Sequence, residues 1–174
     1  KSGLNPRIMK STDAGASWSS WEVPLTGGAT QNYYFRSINF VNDSIGFAVD
    51  RQVASGLANY VHRTTNGGLT WSDTLNLQAG AHSNAYARSA KLIPGTNSIL
   101  VLGSNSAGSS ARMWISPDLG LTFNPVTVLG VNLTNSALLD STHMYAVGGG
   151  STVLKYTGKS VRKVTFNLNT ATVP

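Results

Sequence analysis

Thr-Thr-Asn-Gly-Gly-Leu-Thr-Trp at residues 64–71 decides the fold, because similar octapeptides stand at two other places in the chain. Ser-Thr-Asp-Ala-Gly-Ala-Ser-Trp occupies residues 11–18, and Ser-Pro-Asp-Leu-Gly-Leu-Thr-Phe occupies residues 116–123. All three fit the template Ser/Thr-x-Asp/Asn-x-Gly-x-Ser/Thr-Trp/Phe, and their starts are 53 and 52 residues apart. A fixed period of this size predicts a repeat architecture rather than a globule with a single core.

Each position that the template fixes suits a tight hairpin. Asp or Asn accepts hydrogen bonds from nearby backbone N–H groups, Gly forms a corner with positive φ, and the aromatic ring anchors the hairpin to the layer beneath. We interpret the octapeptides as structural turns rather than calcium or ligand sites, since a ligand site needs no aromatic anchor at that point. The structural residues predicted in this way are Asp13, Gly15, Trp18, Asn66, Gly68, Trp71, Asp118, Gly120 and Phe123.

Apolar segments around the octapeptides predict four strands per repeat, with the octapeptide as the hairpin between the third and fourth strands. The complete repeats have strands at 37–41, 45–49, 60–64 and 71–77, and at 90–93, 99–103, 111–115 and 123–129. A last unit has strands at 137–139, 144–148, 153–156 and 161–168, and its octapeptide has decayed to Thr-Gly-Lys-Ser at 157–160. The first unit has only a third strand at 7–10 and a fourth at 18–25.

Four strands in each repeat are typical of a propeller blade. The sequence therefore predicts an all-β fold, a β-propeller of four-stranded antiparallel blades of which about three and a half are present. We assign a half blade to 1–27, blades to 28–79, 80–130 and 131–166, and a polar tail or linker to 167–174. Propellers close with about four to eight blades. We thus expect part of a larger ring, with another chain or segment supplying the remaining blades.

The octapeptide resembles the Asp-box, or BNR repeat, of propellers such as sialidases and sortilin-type receptors. With the strand phrases at 37–49 and 61–71, the chain is most similar to photosystem II stability/assembly-factor-like repeats and to propellers in secreted proteins of Bacteroidetes-type bacteria. The resemblance covers most of residues 6–166 and implies binding or assembly, not chemistry. One departure is Asp50, which stands where the family's second strand often ends in Gly, as at Gly103 and Gly148.

A second repeat marks a candidate site. Asn-Tyr-Tyr-Phe-Arg-Ser at 32–37 and Asn-Ala-Tyr-Ala-Arg-Ser at 84–89 share the pattern Asn-x-Tyr-x-Arg-Ser and stand before the first strand of two blades. Because inter-blade loops converge at that end of the strands, we expect Arg36 and Arg88 side by side near the channel mouth. Guanidinium groups there bind carboxylate or phosphate, and the tyrosines stack on a sugar or aromatic group. The alternative is that both motifs are packing elements duplicated with the repeat.

Two neighbouring regions extend this candidate site. Asp50 and Arg51 are the only charges in the loops between second and third strands, which share the same face. The third copy of the motif, at 131–136, keeps the Ser and has Asn135 where the other copies have Arg. The complete candidate set for a glycan, anionic or protein ligand is Tyr34, Arg36, Asp50, Arg51, Tyr86, Arg88 and Asn135.

The small number of acidic residues and their positions argue against catalysis. The acidic residues are Asp13, Glu22, Asp43, Asp50, Asp73, Asp118 and Asp140. All except Asp50 fall in octapeptides, in turns or on outermost strands, whereas hydrolysing a glycoside needs two carboxylates about 5 to 10 Å apart. We expect a non-catalytic binding or scaffold propeller and assign no catalytic residue. A fragment of a sialidase-like or xyloglucanase-like glycoside hydrolase is the alternative.

Composition narrows the remaining possibilities. The chain has no cysteine, which excludes disulfides and Cys-ligated zinc, and its histidines, His62, His82 and His143, have no metal-site spacing. We therefore expect no metal and no cofactor, and lone histidines on strands or on the surface. The net charge of +6 favours anionic partners, but no nucleic-acid motif accompanies the scattered basic residues. No apolar run is long enough to span a membrane, and the expected location is secreted or cell-surface, or periplasmic.

Overall fold

A computed structural model describes residues 7–22, 33–52, 59–77, 85–105, 110–126, 130, 132–150, 152–156 and 161–164. These ranges contain fourteen β-strands and no helix. The strands form one two-stranded and three four-stranded sheets, with antiparallel pairing of neighbours throughout. The predicted fold class, a partial propeller of four-stranded antiparallel blades, is confirmed. The domain boundaries, including the tail at 167–174, reach beyond the described residues and stay a prediction.

Each sheet is built from strands that follow one another along the chain. The half blade consists of β1 (Arg7–Lys10) and β2 (Ser19–Glu22). The second blade has β3 (Tyr33–Phe40), β4 (Gly46–Gln52), β5 (Tyr60–Thr64) and β6 (Ser72–Asn76). The third has β7 (Ala85–Leu92), β8 (Ile99–Asn105), β9 (Ala111–Ser116) and β10 (Asn124–Val126). The fourth has β11 (Leu133–Leu138), β12 (Met144–Gly148), β13 (Thr152–Tyr156) and β14 (Val161–Val164).

The octapeptides form the hairpins β1–β2, β5–β6 and β9–β10, which we call the octapeptide hairpins. The side-chain oxygen of the third residue accepts a hydrogen bond from the backbone N–H of the seventh, at 2.8 Å for Asp13, 3.0 Å for Asn66 and 2.9 Å for Asp118. The hydroxyl of the first residue accepts one from the glycine N–H, at 2.7, 2.9 and 2.7 Å. Gly15, Gly68 and Gly120 have φ of 94°, 85° and 83°, so the corner needs a residue without Cβ.

The aromatic residue of the octapeptide hairpin is an anchor only where a neighbouring element covers it. Trp71 is 8% exposed and packs with Ile8 and Ala48. Phe123 is half-buried against the core between the second and third blades. Trp18 differs, because 58% of its surface is exposed and no described strand covers it. In both tryptophans the indole N–H still donates to the carbonyl of the hairpin glycine.

The main core lies between the second and third blades. Phe47 and Val49 of β4 pack against small side chains of β7, Ala87 and Ala90, all at most 1% exposed. Small residues on β7 let the two sheets approach closely, and large residues on β4 fill the space that remains. Asn39 adds a hydrogen bond of 2.9 Å from its amide nitrogen to the carbonyl of Ala90. A smaller cluster of Leu102, Ala111, Leu133 and Leu154 joins the third and fourth blades.

The innermost strand of each blade is interrupted by a β-bulge. Pairing skips Arg36 in β3, Arg88 in β7 and Thr134 in β11, so these residues have no partner on the second strand. Opposite two of the bulges stand Gly103 and Gly148, where a Cβ atom would lie 2.2 Å from the carbonyl oxygen of Tyr86 and 1.7 Å from that of Asn132. We expected the motif Asn-x-Tyr-x-Arg-Ser to precede the first strand of its blade. In the structure the motif instead reaches into that strand and contains the bulge.

The octapeptide hairpin predicts the effect of replacing Asn66. We expect Asn66→Ala to lower the free energy of unfolding by about 1 kcal/mol, because the backbone N–H of Thr70 loses its acceptor. Asn66→Asp is the matched control, since Asp13 and Asp118 make the same bond in the other hairpins. Urea unfolding followed by tryptophan fluorescence measures the difference. Equal losses in the two variants would contradict the role given to this acceptor.

Candidate functional site

Three arginines of the candidate set meet at one place, and we call Arg36, Arg51 and Arg88 the arginine cluster. Arg36 and Arg88 stand at the bulges of β3 and β7, which are neighbouring strands of adjacent blades. Arg51 lies in β4, directly opposite Tyr34 in the strand pairing. The three side chains line a cavity of about 50 Å³, together with Tyr86, Ala87, Ser104 and Asn105. The predicted neighbourhood of Arg36 and Arg88 is thus present, with Arg51 beside them.

Tyrosines hold two of the guanidinium groups in place. The guanidinium carbon of Arg51 lies 4.7 Å from the ring centre of Tyr86, and that of Arg36 lies 5.0 Å from the ring centre of Tyr34. Nη2 of Arg36 also donates a hydrogen bond of 3.0 Å to the hydroxyl of Tyr34. A cation over an aromatic face is attracted to the ring quadrupole. The tyrosines therefore orient the arginines and leave their charges unneutralised.

The arginine cluster has positive charge without a matching carboxylate. No acid in the described ranges forms an ion pair with any of the three arginines. The Nε atoms of Arg51 and Arg88 are buried and have no hydrogen-bond partner among the described residues. Burial lowers the pKa of Arg88, and the positive charges of Arg36 and Arg51 lower it further. An anion in the cavity would relieve this repulsion.

The structure does not bring Asp50 to the cluster, contrary to the expectation from its place beside Arg51. Asp50 is completely buried on the other face of β4. Its Oδ1 accepts a hydrogen bond of 2.6 Å from the backbone N–H of Tyr60, and its Oδ2 lies 3.1 Å from Nε2 of His62. The reason is the alternation of side chains along a strand, which sends adjacent residues to opposite faces. Asp50 therefore belongs to the buried face of the second blade that also carries His62.

Asn135 is also separate from the cluster. Strand pairing aligns Asn135 with Ser37 and Ser89, and places Thr134 at the bulge position of the arginines. The exposed Asn135 accepts a hydrogen bond of 3.2 Å from Nζ of Lys91. The sequence alignment set Ser136 against Ser37 and Ser89, so Asn135 was placed one residue away from its position in the strand pairing.

Sequence reasoning missed an ionic array formed by the buried Asp50 and His62 with the exposed Asp73, which we call the histidine array. His62 is completely buried, with Nδ1 lying 2.7 Å from Oδ1 of Asp73 and Nε2 beside Asp50. The rings of Trp21, Phe35 and Tyr60 surround the imidazole, with ring centres 5.6 to 6.2 Å away. A signal was present, since folding the β5–β6 hairpin about its octapeptide sets His62 opposite Asp73. His62 is thus not a lone histidine.

The two carboxylates control the charge of His62. Burial acts to lower the pKa of the imidazole, but hydrogen bonds and charge attraction from Asp50 and Asp73 outweigh it and raise the pKa to about 9. The array is therefore a buried imidazolium held between two acids at neutral pH. In the described part of the chain, no three or more His, Asp or Glu side chains are arranged so that they could hold a metal ion, and no helix could cross a membrane.

Comparisons with known proteins identify the fold. No protein-family model matches the sequence, and no curated protein matches it. A solved structure of YCF48 bound to D1 peptide superposes with a TM-score of 0.56 and 15% identity, over 82% of this chain and 45% of that one. YCF48 from Cyanidioschyzon merolae gives a TM-score of 0.57 and 15% identity, over 82% of this chain and 39% of that one.

The chain thus spans less than half the length of either YCF48 structure. At this identity the likeness shows the fold alone. The fold is that of a propeller similar to YCF48.

The histidine array makes stability depend on pH in a defined direction. The pKa of His62 is about 9 in the folded chain and about 6.5 in an unfolded one. Below pH 6.5 both states hold the proton and the full contribution is present. Between pH 6.5 and 9 the unfolded chain loses its proton first, so we expect the free energy of unfolding to fall by up to about 3 kcal/mol.

Urea unfolding at intervals from pH 6 to pH 10 measures this decline. His62→Gln should remove it, since no titrating ring is left between Asp50 and Asp73. His143→Gln, which replaces an exposed histidine in a turn, is the matched control and should keep it. A flat profile for the unaltered chain, or the same decline in His62→Gln, would contradict the assignment.

Proposed function

We propose that the protein is a non-catalytic propeller that binds an anionic segment of a partner protein at the arginine cluster and assembles with that partner. The observation that carries the proposal is the convergence of Arg36, Arg51 and Arg88 on one small cavity without a carboxylate. We also propose that it works in a secreted or cell-surface setting. The resemblance of the octapeptides to the Asp-box repeats of secreted propellers supports this location.

The size of the cavity favours a carboxylate over a larger anion. Its volume is about 50 Å³, and on the same measure one water molecule needs about 10 to 15 Å³. A group of a few heavy atoms, such as a carboxylate, fits. Guanidinium groups bind carboxylates through paired hydrogen bonds, and the arginine cluster brings three guanidinium groups to one cavity. Either an acidic side chain or a chain terminus supplies such a group.

The surroundings of the cavity favour a peptide as the carrier of that carboxylate. Tyr34 is 39% exposed beside Arg36 and offers a ring face to the residue next to the anion. Ser104 and Asn105 add polar groups to the lining of the same cavity. One YCF48 structure of the same fold is described as bound to a D1 peptide. By analogy of fold, this supports a protein ligand over a glycan.

The distribution of acids supports binding without catalysis. No carboxylate lines the cavity, and Asp50, which precedes Arg51 in the sequence, is buried against His62. Hydrolysis of a glycoside uses two carboxylates that flank the scissile bond. The arginine cluster can hold and orient an anion, but its described residues offer no general acid or base.

Charge removal at the cluster should weaken binding of a carboxylate. The probe is a rhodamine-labelled decapeptide that ends in Glu-Glu with a free C-terminal carboxylate. The comparison peptide ends in Gln-Gln and has an amidated C-terminus, so its end carries no charge. We expect Arg88→Ala and Arg36→Ala each to lower the affinity for the acidic peptide at least tenfold, because a charge-assisted hydrogen bond is lost. Fluorescence anisotropy at two salt concentrations measures the affinity, which should fall as salt rises.

Two further variants separate geometry from charge. Arg88→Lys keeps the charge but not the planar pair of donors, so we expect an intermediate loss. Arg7→Ala removes an exposed arginine of the half blade that is paired with Glu22, and the affinity should not change. If Arg36→Ala and Arg88→Ala bind the acidic peptide as well as the unaltered chain does, the cluster is a packing element and the proposal is wrong.

A further inference from the structure

A cavity of about 370 Å³ lies between the third and fourth blades, and its lining is mainly apolar. Leu100 and Leu102 of β8 line it from the third blade. Leu133 of β11 and Leu154 of β13 line it from the fourth blade. None of the lining residues that the structure describes is charged. Ser141, which is exposed between β11 and β12, also lines the cavity, so this end of the cavity reaches solvent.

The interface between the second and third blades has larger side chains at two register positions that line this cavity. Strand pairing gives Leu100 the register position of Phe47. It gives Leu154 the register position of Trp114. Phe47 and Trp114 are at most 4% exposed and belong to the main core. Leucine in place of an aromatic ring at both positions therefore leaves space between the third and fourth blades.

The octapeptide hairpin of the third blade also helps to close the earlier interface, and its counterpart in the fourth blade is shorter. Leu119 of this hairpin packs against the main core, and its carbonyl accepts a hydrogen bond of 2.7 Å from Nε of Arg63. Ile115, which has the register position of Arg63, lines the cavity. Eight residues separate the nearest paired residues of β9 and β10, whereas only four, residues 157–160, separate those of β13 and β14. The cavity therefore lies where the sequence departs from its own repeat.

We propose that this cavity is a binding site for an uncharged, mainly hydrocarbon small molecule. Ligand pockets have volumes of about 300 to 1000 Å³, and this cavity lies within that range. A cavity of about 150 Å³ lined by Leu, Ile and Phe binds benzene, so a cavity of about 370 Å³ suits a molecule of about fifteen heavy atoms. A charged molecule would lose its hydration without a charged partner among the described lining residues. The site is separate from the arginine cluster, which lies between the second and third blades, and does not depend on its function.

The probe for this site is acedan, an uncharged dimethylaminonaphthalene with one acetyl group, whose emission shifts to shorter wavelength in apolar surroundings. Titration of the complete 174-residue chain with acedan should give saturable binding of one dye per chain. We expect Leu100→Phe and Leu154→Trp, which restore the side chains of the filled interface, each to weaken binding at least tenfold. Leu121→Phe is the matched control, because it adds the same ring at a 69% exposed leucine of an octapeptide hairpin, and it should bind acedan as the unaltered chain does.

Methionine methyl NMR locates the dye in the unaltered chain and does not depend on the folding of any variant. Of the three methionines in the sequence, Met113 and Met144 line the cavity, and Met9 lies in the half blade. Saturating acedan should shift the methyl signals of Met113 and Met144 and leave that of Met9 in place. The proposal is overturned if acedan does not bind saturably, or if it binds without shifting either signal, because water or another segment of the chain then occupies the cavity. It is also overturned if Leu100→Phe and Leu154→Trp fold and bind acedan as tightly as the unaltered chain.

Discussion

The packing of one blade's two inner strands on the innermost strand of the next blade is the constraint on which the rest of the structure depends. β3 and β4 lie against β7, with Phe47 and Val49 filling the space over Ala87 and Ala90. This contact aligns the same register positions of β3 and β7, so their bulges come together. Buried apolar area drives the packing, and the meeting of charges at the bulges is its consequence.

Side-chain alternation along β4 then separates the charges that this packing brings close. Asp50 faces the interior of the blade and contacts His62, whereas Arg51 faces the cavity shared with Arg88. Asp50, the acid that could neutralise the arginine cluster, therefore lies on the opposite face of β4 and does not contact the cluster. β4 thus contributes a buried acid to the histidine array on one face and an arginine to the arginine cluster on the other. Because Asp50 is held against His62 in the histidine array, the arginine cluster keeps its attraction for an external anion.

The sequence alone predicts the local features of this fold well. β1, β5 and β12 have the predicted limits, because a short apolar run before an octapeptide or a turn defines both ends of a strand. The octapeptide corners were predictable for the same reason, since Gly and Asp or Asn have fixed places in a tight turn. The proximity of Arg36 and Arg88 also follows from the repeat, because equal positions in adjacent blades are neighbours.

The bulges and the register between paired strands could not be predicted from the sequence in this way. The bulges depend on close approach of two backbones, as at Gly103 beside the carbonyl of Tyr86, and a period of two residues does not show them. Likewise, Asn135 was aligned with the arginines in place of Thr134, because the sequence alignment matched the serines. The predicted end of β4 was Val49, so Asp50 was assigned to a surface loop. In the structure β4 extends through Asp50 to Gln52.

A crystal structure of the chain with the acidic decapeptide would test most directly whether the arginine cluster is an anion site. We expect one carboxylate of the peptide within hydrogen-bond distance of at least two of Arg36, Arg51 and Arg88, with Asp50 still against His62. A peptide bound elsewhere, or Asp50 turned outward to pair with the arginines, would contradict this account of the site.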